Sequence, residues 1–169
     1  MLSNIAGSLA LEGISILSAQ AFTTEDGTAV DLFEVEGVFE PEIAERNWRA
    51  FRSTLRRALE GAISIEHRVR DKRRAYPASK VRTPVTVTVD NDASEFSTVI
   101  EVGAPDRIGL LYDITRTFVD LRLDVHLAKV ATFYGRVVDA FYVRDELGRK
   151  VTDASRLNSA RSTLLERLG

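Results

Sequence analysis

The chain has 169 residues and a mass of 18.8 kDa, room for one ordinary domain or two of roughly 80 residues each, and too little for a large multidomain enzyme. Apolar residues make up 44% and charged residues 28%, with a formal charge of -2, so a hydrophobic core can form and the balance is not that of a disordered chain. With no Cys and only two His, a disulfide framework, a thiolate metal site and a cysteine nucleophile are excluded, and neither metal nor cofactor is expected.

In chain order, Leu2, Ile5 and Leu9 recur at helical spacing. Ile14, Ile16 and Phe22 then alternate as in a strand, and a turn at Glu25-Asp26-Gly27 leads back into Val30 to Val38, which predicts a hairpin. Pro41 suits a first helical position, and Ala44, Trp48, Phe51, Leu55 and Leu59 mark an amphipathic helix ending near Gly61, with Arg46, Arg49, Arg52 and Arg56 on its other face. Between Arg46 and Arg82 stand 12 Lys or Arg against three acids. A solvated helix face followed by a charged linker accounts for this stretch, as does docking onto an acidic partner surface. Nucleic acid is not an expected partner, because aromatic side chains that would stack on bases are nearly absent. Residues 62–80, polar, basic and containing Pro77, read as a partly ordered connection.

Pro84 to Val89 and Phe96 to Val102 alternate again, separated by the turn-prone Asp90-Asn91-Asp92-Ala93-Ser94. After the strand over 96–102, Leu111, Ile114, Phe118 and Leu121 predict a helix over 108–121. Strands over 123–133 and 137–144 follow, joined at Tyr134-Gly135-Arg136. A last helix spans 153–168, capped by Thr152 or Asp153 and buried through Leu157, Ala160, Leu164 and Leu168. No apolar stretch reaches the roughly 18 residues of a membrane span, and Met1-Leu2-Ser3-Asn4 lacks a signal-peptide pattern, so a cytoplasmic protein is expected, without membrane partners.

These elements repeat. Leu2-Ser3-Asn4-Ile5 aligns with Leu111-Tyr112-Asp113-Ile114, and residues 13–19 with 122–128, at a constant offset of 109. After a slip of one residue, Asp31-Leu32-Phe33-Glu34-Val35 falls on Asp139-Ala140-Phe141-Tyr142-Val143. The expected fold class is α+β: two ferredoxin-like βαββαβ units, residues 1–90 and 95–169, the first lacking its opening strand and the second its closing strand. Val85 to Val89 can close the first unit. A helix beginning at Met1 with no cap suggests a chain cut inside a repeat. Small units with open sheet edges lead us to expect side-by-side sheets or a homodimer.

At Asp106-Arg107-Ile108-Gly109 the chain passes from strand to helix, so unpaired backbone N–H groups and the positive helix end converge where a ligand carboxylate could bind. Asp106 either accepts from a ligand ammonium or caps the helix. Gly109 leaves space for a ligand or serves a tight turn. Arg107 could pair with a carboxylate, although exposed Arg pairs weakly. His126 reads as a surface or interface residue, and Trp48 as core or interface packing.

The run Thr98 to Ile114, with Asp-Arg-x-Gly-Leu-Leu at residues 106–111, resembles the start of an ACT domain, a ferredoxin-like module that binds amino acids in regulated metabolic enzymes. Together with Asp124 to Thr132, Arg136 to Val143 and Ala19 to Gly27, it is similar to the tandem ACT region of bifunctional PII uridylyltransferase/uridylyl-removing enzymes, over almost the whole chain. The resemblance implies a regulatory module that senses glutamine and controls nitrogen signalling through the PII protein, suppressing nucleotidyl transfer and favouring its removal. It also implies that ligands lie between neighbouring units, the second strand of one facing the Asp106–Leu110 turn of another, which adds Ile108, Leu110, Asp124 and Ser15 as candidates. Gly7-Ser8 is followed by no Asp-x-Asp pair and the chain has no His-Asp dipeptide, so the parent's transferase and hydrolase centres are not expected here. The alternative is a free-standing ACT-type dimerisation module without a metabolite.

Overall fold

A computed structural model describes residues 1–23, 26, 28–38, 40–76, 84–133 and 136–169. The expected turn residues Glu25, Gly27, Tyr134 and Gly135, and Pro77, lie outside them. The first copy contains α1 (Leu2–Leu11), β1 (Ile14–Thr23), β2 (Ala29–Gly37) and α2 (Glu45–Leu59). After α3 (Ile65–Ala75) and β3 (Thr86–Asp90) come β4 (Thr98–Pro105), α4 (Leu110–Asp120), β5 (Asp124–Lys129), the two-residue β6 (Thr132–Phe133), β7 (Arg136–Arg144) and α5 (Ala154–Leu168). The strands form one antiparallel sheet in the order β2-β1-β5-β7-β4-β3, with β6 paired to β7. The expected α+β class and duplicated unit are both present.

The duplication extends to backbone irregularities. Register shifts interrupt β1 between Ile16 and Ser18 and β5 between Val125 and Leu127, at counterpart positions. Gly13 and its counterpart Arg122 both turn from helix to strand in the left-handed region, at φ 71° and 55°. The copies meet where β1 pairs with β5 through Ala19 with Ala128 and Gln20 with Leu127. Ala19 and Ala128 are counterparts in the repeat, so a pseudo-twofold axis passes between them.

The second unit holds the main core. Ile100 and Val102 of β4, Phe141 and Val143 of β7, Ile114 and Phe118 of α4, and Leu164 of α5 are all fully buried. Phe118 and Phe141 meet edge to face with ring centroids 5.1 Å apart, a preferred aromatic geometry. Asp153 caps α5 by accepting from the Arg156 N–H at 2.7 Å.

Four expectations change. β3 does not close the first unit: it pairs with β4 from Thr86–Gly103 to Asp90–Val99 and occupies the outer edge of the second unit's strands. Alternation identifies a strand but not its neighbour. The connection over 62–80 contains a helix, α3, whose N-cap Ser64 accepts from His67 N–H and whose Ile65 and Val69 are buried beside Tyr112. Pro41 does not begin α2: its carbonyl accepts from Gly37 N–H in a turn, and the helix starts after Ala44. The strand over 123–133 breaks after Lys129, because the Ala131 N–H bonds the Asp139 carboxylate at 3.2 Å instead of a ladder carbonyl.

Candidate functional site

A cavity of about 520 Å³ opens between the copies. Its floor is the end of α1 and the start of β1, from Ala10 to Ile16; facing it are residues 106–112 of the second unit, with Val137 and Asp139 of β7. Lys72 and Tyr76 of α3 and Asn47 of α2 complete the wall. Six of the seven candidate residues come together here: Ser15, Asp106, Arg107, Ile108, Gly109 and Leu110. Asp124 does not. It is exposed at the far end of β5, with its carboxylate 3.5 Å from the His126 ring nitrogen Nε2. The His126 pKa is lowered by burial and by Arg144, against the opposing pull of Asp124.

The turn at 106–109 is shaped by backbone geometry and by α3. Gly109 is the N-cap of α4 at φ 73°, and no side chain caps that helix, so Asp106 is not its cap. A Cβ at Gly109 would overlap Val69 of α3, so glycine is required by conformation and by close approach alike. Arg107 is not a free surface cation: its guanidinium pairs with Asp113, and its side chain is only 15% exposed. Arg73 of α3 holds the same carboxylate at 2.8 Å and donates through Nε to the Ile108 carbonyl at 3.0 Å. These charge-assisted bonds tie the turn to α3. Leu110 sends its side chain into the main core, while Asp106 is exposed.

Two features escaped sequence reasoning. Lys72 donates to the Ala10 and Leu11 carbonyls at 2.9 and 2.6 Å, satisfying the open end of α1. Its pKa is lowered, burial outweighing the opposing effect of Glu12. The Ser64 cap and the Ile65–Val69 spacing were its available signal. Asp139 is buried at 1% exposure on the inner side of β7. Burial pushes its carboxyl up to about 7, the Ala131 N–H opposing and Asp106 adding to the rise. The alternation of β7 places Asp139 on the core face with Val137 and Phe141, and a carboxylate on such a face is the signal. Among the described residues, no group of three or more His, Asp or Glu could hold a metal ion, and no helix is long and apolar enough to cross a membrane.

A ferredoxin-like pair of units with a cavity at a glycine turn defines an ACT-like module. Residues 86–169, which contain the second unit, match the family described as ACR9-like, ACT-like domain. Nearly all of the chain is similar to part of bifunctional uridylyltransferase/uridylyl-removing enzymes. The enzyme of Rhodospirillum rubrum is 38% identical over 168 residues, covering 97% of this chain and 18% of the relative. That of Azospirillum brasilense is 38% identical over 178 residues, covering 99% and 18%. The Caulobacter vibrioides enzyme is 35% identical over 173 residues, with the same coverage. The chain thus spans about a fifth of the length of these curated relatives.

Proposed function

We propose that the cavity takes a free amino acid, glutamine, and that the chain is the glutamine-sensing part of a PII uridylyltransferase/uridylyl-removing enzyme. The observation that carries this reading is the meeting of Ser15 of the first unit with the Asp106–Leu110 turn of the second in one cavity. The positive end of α4, with no side-chain cap, suits the ligand's α-carboxylate. Asp106, exposed and free of a capping role, suits its ammonium. Glu12 and Asp106 also line the cavity, so a second ligand carboxylate would be repelled there while a neutral side-chain amide would not. This favours glutamine over glutamate.

Because the cavity lies across the joint between units, glutamine would bias their arrangement by preferring one over another. The attached catalytic parts of a longer enzyme would read that bias, suppressing nucleotidyl transfer to the PII protein and favouring removal. The reading includes a cytoplasmic setting, a homodimer, no cofactor in this region and PII contact through the rest of the enzyme. Calorimetric titration of the chain with glutamine, glutamate and serine tests it. Heat with glutamine alone is expected. Equal heat with serine defeats the glutamine assignment, and no heat with any of the three defeats the binding site.

A further inference from the structure

The charged side chains around the cavity are unevenly matched. Its two cations are already engaged: Lys72 donates to the Ala10 and Leu11 carbonyls, and Arg107 is paired with Asp113. Asp106 and Asp139, on the facing wall, form no ion pair among the described residues. Asp106 is exposed, so water can solvate its charge. Asp139 is 1% exposed, stands opposite the fully buried Val102 of β4, and accepts from a neutral donor, the Ala131 N–H at 3.2 Å. A charged carboxylate with so little compensation is costly to bury, and retaining the proton removes that cost. The upward push on its pKa by burial and by Asp106 agrees with this. A cavity with carboxyl groups to spare and its own cations engaged fits a ligand that brings a cation with it.

We propose that Asp139 carries a proton in the free protein and releases it to solvent when a primary ammonium group seats between Asp139 and Asp106, so that Asp139 is a ligand contact and occupancy depends on pH. This rests on the amino-acid reading of the cavity and adds a proton to its chemistry. The exchange conserves charge: one proton leaves as one ammonium enters, and the carboxylate left behind gains a charge-assisted hydrogen bond. The other ionisable groups on the cavity are Glu12, Lys72, Tyr76, Asp106, Arg107 and Tyr112. Lys72 and Arg107 keep their present partners, and burial pushes the Tyr112 hydroxyl up, away from neutral pH. His126, the other kind of group that titrates near neutrality, is not on the cavity wall. Because the ionised form of Asp139 is the one that binds, affinity rises with pH and levels off above about 7.

The test is calorimetric titration of the 169-residue chain with glutamine at pH 6, in phosphate and in Bis-Tris, whose heats of ionisation differ, so that the difference between buffers counts protons. Close to one proton released per glutamine is expected. Asp139→Asn should release none, whereas Asp31→Asn, at the counterpart position and off the cavity wall, should match the unaltered chain. Apparent affinity should fall about thirtyfold from pH 8 to pH 5.5 in the unaltered chain, and less than about threefold in Asp139→Asn. Difference infrared spectra of the unaltered chain at pH 6 give a reading that needs no substitution: the carbonyl band of a protonated carboxyl should disappear as glutamine is added. Equal heats in the two buffers, or a band that persists to saturation, overturn the proton exchange and leave the amino-acid site standing. No heat with any amino acid overturns the exchange and the amino-acid site together.

Discussion

Val69 of α3 packs so closely on Gly109, the residue at which α4 begins, that a Cβ at Gly109 would overlap its Cγ1 methyl. The turn facing the cavity is therefore set by the segment that joins the copies. Gly109→Ala meets both the left-handed conformation and the overlap, and we expect about 2–4 kcal/mol of destabilisation in urea melts. Val69→Ala in the same chain should restore the overlap part and leave the conformational part. Equal losses in the single and double variants would show that the contact does not matter.

Asp106 separates binding from stability. It is exposed and caps no helix, so Asp106→Ala should change unfolding free energy by no more than about 0.5 kcal/mol. Its effect should appear as lost heat in a glutamine titration. An unchanged titration would remove it from the ligand's contacts.

Asp139 makes stability depend on pH in the direction unusual for a carboxylate. Its pKa is raised from 3.8 to about 7 in the folded chain, so the folded state holds the proton more tightly than the unfolded. Stability is greatest below pH 4 as far as this group is concerned. It falls as pH rises and has lost at most on the order of 4 kcal/mol once above 7. Asp139→Asn keeps an acceptor for the Ala131 N–H and cannot ionise. Urea midpoints of the two proteins should converge near pH 4 and separate by pH 8, with the Asn variant the more stable. Parallel pH profiles would contradict the assignment.

Arg122, alone among described non-glycine residues, has a positive φ. Its counterpart, Gly13, shows which residue that turn prefers. Arg122→Gly should stabilise the chain by about 0.5–1 kcal/mol. Its ion pair with Glu146, at 3.7 Å and well exposed, contributes little. A thermal midpoint that drops instead would show that the arginine has a further role.

The repeat was legible because Leu2–Ile5–Leu9 and Leu111–Ile114–Phe118 keep one spacing through two copies, and the turn at 106–109 because strand and helix patterns meet there. Ser15 was found through its counterpart, but the same reasoning placed Asp124 at a site it does not reach, since Asp124 pairs with Arg144, at the other end of β7 from Val137 and Asp139 of the cavity wall. α3 was hidden because Ile65 and Val69 are its only fully buried residues among cations that resemble a solvated linker. Two of those cations, Lys72 and Arg73, have their partners more than 30 positions away, and no local pattern encodes that. β3 was placed with the wrong unit because pairing partners depend on the whole sheet.

The pairing of Ala19 with its own counterpart Ala128 gives one polypeptide the seam of a symmetric dimer. Two separate subunits would have to meet by collision to build such a seam; here the covalent link keeps both halves together at any dilution.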